Sequence, residues 1–187
     1  MSKAFPLLAM LAASTVLIAP TAFADFIVES RSGGQNYGLY SEVGSWSNSS
    51  GKSTAPGVTP GIGSRYSSTL YSGRYANFAF KAGEPTGLYE VFVTWGANAN
   101  RRAGIEHKVY HTGGTTSIYV DQSATANTWV SLGQFTLDTS SKVQIHTYTG
   151  VSGSGYADAV KFVYIPEPAT LAVLGLGAIA SLRRRRA

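Results

Sequence analysis

The chain has 187 residues, 15 Lys and Arg against 10 Asp and Glu, 21 Gly, 12% aromatics and no Cys. That length holds one domain or two small ones at the usual ~100–200 residues each, and a mean hydropathy near zero excludes a multi-span membrane protein and a charged disordered chain. Without Cys there is no disulfide-stapled mini-fold, thiolate metal site or Cys nucleophile.

Residues 1–24, MSKAFPLLAMLAASTVLIAPTAFA, place Lys3 before a nearly uncharged apolar run and end in Ala22-Phe23-Ala24, small residues where a signal peptidase inspects the chain. This is the pattern of a secretory signal peptide cleaved before Asp25. From Asp25 onward, short alternating segments recur between clusters of Gly, Ser, Asn and Pro, and helical periodicity is scarce. The alternation predicts strands over Phe26–Arg31, Tyr75–Lys81, Leu88–Trp95, Glu106–His111, Thr115–Asp121, Trp129–Thr136, Lys142–Tyr148 and Ala157–Tyr164. In the third, Tyr89, Val91, Val93 and Trp95 share one face; in the seventh, Val143 and Ile145 oppose Lys142, Gln144 and His146. Such half-buried strands suit an antiparallel β-sandwich, and about 140 residues suffice for its core. Gly113 and Gly114 make a hairpin turn in which positive φ costs little. The polar, breaker-rich stretch Gly44–Ser72 reads as a long surface loop interrupted by a short strand, either a flexible insert or a carrier of binding groups.

The chain ends IPEPATLAVLGLGAIASLRRRRA. Pro166, Glu167 and Pro168 stop any preceding strand, the apolar run Ala169–Leu182 follows, and Arg183, Arg184, Arg185 and Arg186 come last. A helix of roughly 14 residues only just crosses a bilayer, and the arginines hold that end in the cytoplasm. This order of parts resembles the PEP-CTERM sorting signal. The resemblance implies processing near Pro-Glu-Pro by an exosortase, a transient inner-membrane anchor, and delivery to the cell surface or matrix of a Gram-negative bacterium that makes exopolysaccharide. Setting aside Lys3 and the four tail arginines leaves 10 basic residues, and setting aside Glu167 leaves 9 acidic ones. A body near +1, with Arg101-Arg102 its longest basic run, lacks the clustered cations that nucleic acid requires.

From Gly87 the segments LYEVFVTW, ANANRRAG, EHKVYHTGGTTSIYVDQ, TWVSLGQFTLD and GYADAVKFVY follow in order, with Val109–Gly114, Trp129–Gly133 and Ala157–Val160 the most specific pieces. This is similar to the golvesin C-terminal-like domain and to the carbohydrate-binding-type domain attached to xanthan lyases, over roughly residues 26–164; the region around Glu42–Arg65 departs from the pattern. The resemblance implies a galactose-binding-like, jelly-roll sandwich that binds polysaccharide. The expected organisation is a signal peptide (1–24), this domain (25–164) and a sorting signal (165–187), with the all-β body flanked by an N-terminal signal helix and a C-terminal hydrophobic helix.

His107 and His111, four residues apart on a strand, stand about 13 Å from one another, too far to share an ion whose bonds are about 2 Å; bracing the glycine turn is the use that suits His111. There is no G-x-S-x-G elbow, and scattered serines with His146 and Asp138 do not make a triad. Glycoside cleavage would draw paired carboxylates from Glu90, Glu106, Asp121 and Asp158. Asp158 shares parity with Val160 and Phe162 and is sent toward the core, where a carboxylate needs hydrogen bonds. Backbone N–H groups of the Gly150–Gly155 loop supply them on a structural reading; a structural calcium beneath that loop is the alternative, and no other metal or cofactor is expected. For sugar binding, Trp95 borders the loop Gly96–Gly104 with Asn98, Asn100, Arg101 and Arg102, and with Tyr156 and Trp46 nearby these form the candidate platform. The bland alternative is a solvated loop beside a core Trp. Trp129 reads as core, and Arg101 and Arg102 suit an acidic polysaccharide.

The sequence thus points to a secreted, non-catalytic binder of extracellular polysaccharide, matured by signal peptidase and exosortase. Its rivals are a structural or adhesive matrix protein acting through protein contacts at edge strands, and a small polysaccharide lyase or hydrolase.

Overall fold

A computed structural model describes residues 25–166. Within them, the alternation becomes strands β1 (Phe26–Glu29), β2 (Tyr40–Val43), β3 (Ser47–Asn48), β4 (Arg65–Ser68), β5 (Tyr75–Ala79), β6 (Gly87–Thr94), β7 (Ile105–His111), β8 (Gly114–Val120), β9 (Val130–Leu137), β10 (Lys142–His146), β11 (Ser154–Ala157) and β12 (Ala159–Tyr164). A single 3-10 turn, Tyr37–Leu39, precedes β2. The strands form antiparallel sheets in the orders β1-β12-β6-β9, β2-β5-β10-β7-β8 and β11-β4-β3.

The two larger sheets pack as a sandwich because each turns one apolar row inward. Phe26, Val28, Tyr89, Val91, Val93, Val160 and Phe162 from the first meet Ala76, Phe78, Ile105, Val109, Val143 and Ile145 from the second, all buried in one cluster. The Phe26 ring stacks on Phe162 at 4.8 Å and meets Phe80 edge-on at 5.3 Å.

Eight strands lie where the alternation predicts them, with ends shifted by up to two residues. Within Gly44–Ser72, where one short strand is expected, there are two, β3 and β4, while β2 and β11 have no predicted counterpart; the patterning of these four explains why. In β2 the polar Glu42 is half-buried while Val43 is exposed, the reverse of the usual pattern; β3 has two residues; β4 and β11 are Ser- and Gly-rich and pair with one another. The signal peptide, the sorting signal from Glu167 onward and both terminal helices lie outside the described residues.

The Gly44–Ser72 stretch is not a free insert. Ala55 and Val58 pack on Ile27 and Ala159, on the side of the first sheet away from the main core, with Trp129 against them. Trp129 therefore belongs to this second cluster, where its Nε1–H donates to the Pro56 carbonyl at 2.9 Å and the Lys161 ammonium lies 4.7 Å over its ring. Gly96 lets the segment approach: a Cβ there would come within 2.7 Å of the Gly51 carbonyl carbon, and closer still to the Lys52 nitrogen. Gly96→Ala is expected to cost about 1–3 kcal/mol through this backbone clash, read as a lowered chemical-denaturation midpoint.

Candidate functional site

The residues nominated from sequence are placed mostly inward. Trp95 is 1% exposed, and its Nε1–H donates to the Gln122 carbonyl at 2.9 Å. Tyr156 is buried too and stacks on Tyr66 with centroids 5.7 Å apart. Neither ring offers a free face to a ligand, so both are corrected from platform to core. Arg101 donates from Nε to the Asn98 carbonyl at 2.7 Å and from Nη1 to the Gln122 carbonyl at 2.9 Å, while Arg102 donates to the Ser152 carbonyl. Asn98 reaches Ser49 Oγ at 3.3 Å, and the Asn100 carbonyl accepts the Ser154 N–H at 2.8 Å. The loop is thus a knot of carbonyls tied by guanidiniums, with Arg101 bonded through Nε and Nη1 and Arg102 through Nε. Trp46 is half-buried against the core, with its indole N–H on the Val43 carbonyl at 3.2 Å.

At the hairpin, His111 Nδ1 accepts the Gly113 N–H at 3.1 Å and Nε2 lies 3.0 Å from the Thr116 hydroxyl. Gly114 has φ of 124°, a conformation open to glycine. His107 points into the core, and burial pushes its pKa down to about 4. Asp158 is 1% exposed, but its bonds come from elsewhere than the Gly150–Gly155 loop. Its Oδ2 accepts the Ser53 N–H at 2.8 Å, and the Gly96 N–H also donates to it. The Gly150–Gly155 loop folds instead onto Thr69, whose carbonyl takes the Gly150 N–H at 3.2 Å. Among the described residues no cluster of three His, Asp or Glu side chains is close enough to hold a metal ion.

What the sequence did not nominate is a cleft of about 410 Å³ lined by Ser30, Arg31, Ser32, Tyr37, Tyr40, Ser41, Glu42, Asn48 and Arg65. It forms where the end of β1, the 3-10 turn, β2 and the small third sheet converge. One wall is an ion pair: Arg65 donates from Nε and Nη2 to the two Glu42 carboxylate oxygens, the second bond at 2.8 Å. The Tyr40 hydroxyl donates to Glu42 Oε1 at 2.7 Å. Burial first, then the Glu42 carboxylate, push the Tyr40 pKa up; the hydrogen bonds to Glu42 raise that of Arg65. Arg65 also donates to Asn48 Oδ1 and to the Trp46 carbonyl.

The other wall is unspent. Tyr37 is 44% exposed, and its ring lies over Tyr40 with centroids 6.2 Å apart and planes 28° from parallel. Ser30 is 2% exposed and its hydroxyl has no partner. At the rim, Ser41 Oγ accepts from Asn77 Nδ2 at 3.3 Å. From there the strand register carries a row Asn77, Gln144, Lys108 and Ser117 across β5, β10, β7 and β8, in which Gln144 is itself buried. Gln144 Nε2 donates to Asn77 Oδ1 at 2.7 Å, and the Tyr110 hydroxyl donates to Gln144 Oε1 at 2.9 Å. The cleft therefore opens onto a hydrogen-bonded amide and hydroxyl belt.

The one sequence signal for the cleft is the Tyr37/Tyr40 pair, three residues apart and shortly after Arg31, just before the region that departs from the family pattern. The described residues thus form an antiparallel sandwich with a polar-aromatic cleft at its rim. Residues 30–164 match the Golvesin C-terminal domain, and the chain belongs to that family; residues 165–186 match the PEP-CTERM protein-sorting motif. Together they mark an extracellular or cell-surface protein.

A xanthan lyase of Bacillus sp. (strain GL1) is 39% identical over 83 residues, which is 42% of this chain and 9% of that enzyme. The solved xanthan lyase of Paenibacillus has the same fold with a TM-score of 0.63 at 24% identity, covering 76% of this chain and 13% of that one. The chain thus spans about a tenth of the length of the lyases it matches.

Proposed function

We propose that this protein binds an extracellular polysaccharide reversibly, without cleaving it, and that the cleft between Tyr37 and Arg65 is where one sugar residue seats. The observation that carries the proposal is the unspent wall: an exposed tyrosine face in a cleft also lined by Arg31. A tyrosine ring suits the C–H-rich face of a pyranose. The belt from Ser41 to Ser117 gives the rest of a polymer hydroxyl and amide partners, already fixed by bonds to one another. Glu42 is the one carboxylate lining the cleft, and its oxygens are occupied by Arg65 and Tyr40. Glycoside hydrolysis takes two working carboxyl groups, which supports a binding role over a hydrolase. The reading calls on no metal or cofactor. The signal peptide would export the chain, and the sorting tail would hold it briefly at the inner membrane before exosortase releases it to the surface or matrix.

Tyr37→Ala is expected to weaken glycan binding about tenfold, the loss of one aromatic contact, with the melting temperature unchanged. A glycan array probed with the full chain and this variant checks it. Hits that survive the substitution at equal strength would remove the cleft from the proposal.

A second reading, adhesion through protein contacts, is favoured by one observation. β8 is an edge strand in its sheet, with Thr115, Thr116 and Ser117 exposed and Tyr119 68% exposed, and such edges accept added strands. Light scattering that rises with protein concentration, with no glycan hits, would favour it.

A further inference from the structure

Resting on that reading, we infer that the cleft selects a sugar residue bearing a carboxylate, with the Arg31 guanidinium gripping the two carboxylate oxygens. Three charged side chains line the cleft, Arg31, Glu42 and Arg65. Two of them cancel: Arg65 lies against Glu42, and its remaining donors are taken by Asn48 and Trp46. The Arg31 side chain has neither an acidic partner nor a hydrogen bond among the described residues. One positive charge is therefore left over, carried on a planar fork whose spacing matches a carboxylate.

Tyr37, on the same cleft and 44% exposed, supplies the independent observation: its ring face is open to the sugar ring that would carry the carboxylate.

The backbone that carries these two side chains is braced. The Ser30 N–H donates to the Asp158 carbonyl at 2.8 Å, and the Arg31 carbonyl accepts the Gly34 N–H at 3.0 Å. Glu29 Oε2 accepts the Gln35 N–H at 2.9 Å, and Asn36 Nδ2 reaches the Ile27 carbonyl at 2.6 Å. The backbone that presents Arg31 is thus fixed before a ligand arrives, which limits the entropy lost on binding to that of the side chain.

Calorimetry on the full chain tests this with four probes: polygalacturonate, the same polymer with its carboxyls reduced to alcohols, free galacturonate, and polyglutamate. The polyuronate is expected to bind about 10- to 100-fold tighter than its reduced form, the worth of charge-assisted hydrogen bonds. Free galacturonate should compete with it, and polyglutamate, with carboxylates but no sugar rings, should not bind. Arg31→Gln should erase the preference for the acid while leaving the melting temperature unchanged. Arg31→Lys should restore it in part, since the charge returns without the fork. Equal affinity for acid and reduced polymer, a preference that survives Arg31→Gln, or binding of polyglutamate would each overturn the inference while leaving carbohydrate binding in place. Silence toward every sugar polymer, neutral glucans included, would overturn the underlying reading and this inference with it.

Discussion

Asp158→Ala is expected to destabilise the domain by about 2–4 kcal/mol, because it strips the acceptor from two backbone N–H groups at once. Those groups belong to Ser53, in the segment that covers the first sheet, and to Gly96, over which that segment crosses. Glu29 holds the same segment further along, its Oε1 accepting the Thr59 N–H at 2.6 Å. Two buried carboxyl groups, one at the end of β1 and one between β11 and β12, thus pin residues 49–64 to the sheet. Burial is the main force on Asp158, opposed by the two N–H bonds and reinforced by the nearby Glu29 charge, and it pushes the pKa up to about 7.

The sign of the pH effect follows. In the unfolded chain an aspartic acid loses its proton near pH 4; in the fold Asp158 keeps it to about pH 7. Between these values the native state holds more protons, so this group's contribution is full below pH 4 and is lost as pH rises toward 7. Asp158→Asn, which mimics the protonated acid, should abolish that decline, leaving a variant more stable than the wild type at pH 8 on the order of 3 kcal/mol. His107 works in the opposite sense. Its pKa is pushed down to about 4 by burial, so its contribution is present above pH 6.5 and is lost as pH falls toward 4. Urea melts from pH 4 to 8 on Asp158→Asn and His107→Leu separate the two slopes.

Arg65→Ala is expected to cost about 2–4 kcal/mol and to abolish glycan binding. Removing one partner leaves a half-buried Glu42 without its countercharge, which is more damaging than removing the pair. It also frees Asn48 and the Trp46 carbonyl, which the guanidinium holds, so the cleft wall loses its shape. The double variant Arg65→Met/Glu42→Leu should recover most of the stability and little of the binding. Thermal melts beside glycan titrations check this; full binding by either variant would show that the wall is dispensable.

The strands that hydropathy alternation made legible are those with one face in the core. β6 and β10 are the clearest, since Tyr89, Val91 and Val93, like Val143 and Ile145, fall on the buried side. The same alternation had set Trp95 on the inner face with Tyr89, and the structure buries it there; its neighbourhood to an Arg- and Asn-rich loop was the misleading cue. β2 was hidden because Glu42 turns toward Arg65 and Val43 toward solvent. The cleft was hidden for a deeper reason. Ser30, Tyr40 and Arg65 are brought together by pairings of β2 with β5 and of β4 with β3 and β11, long-range contacts that no local pattern announces. Likewise the burial of Asp158 has a local signature, but its partners Ser53 and Gly96 lie more than 60 residues away in the chain.

The central claim, that the ligand sits in the cleft and not on the loop after Trp95, is tested most directly by hydrogen-exchange mass spectrometry of the full chain with and without a saturating polysaccharide. Protection should concentrate in residues 30–42 and 47–49, with 96–104 unchanged. Protection confined to 96–104 would contradict the account.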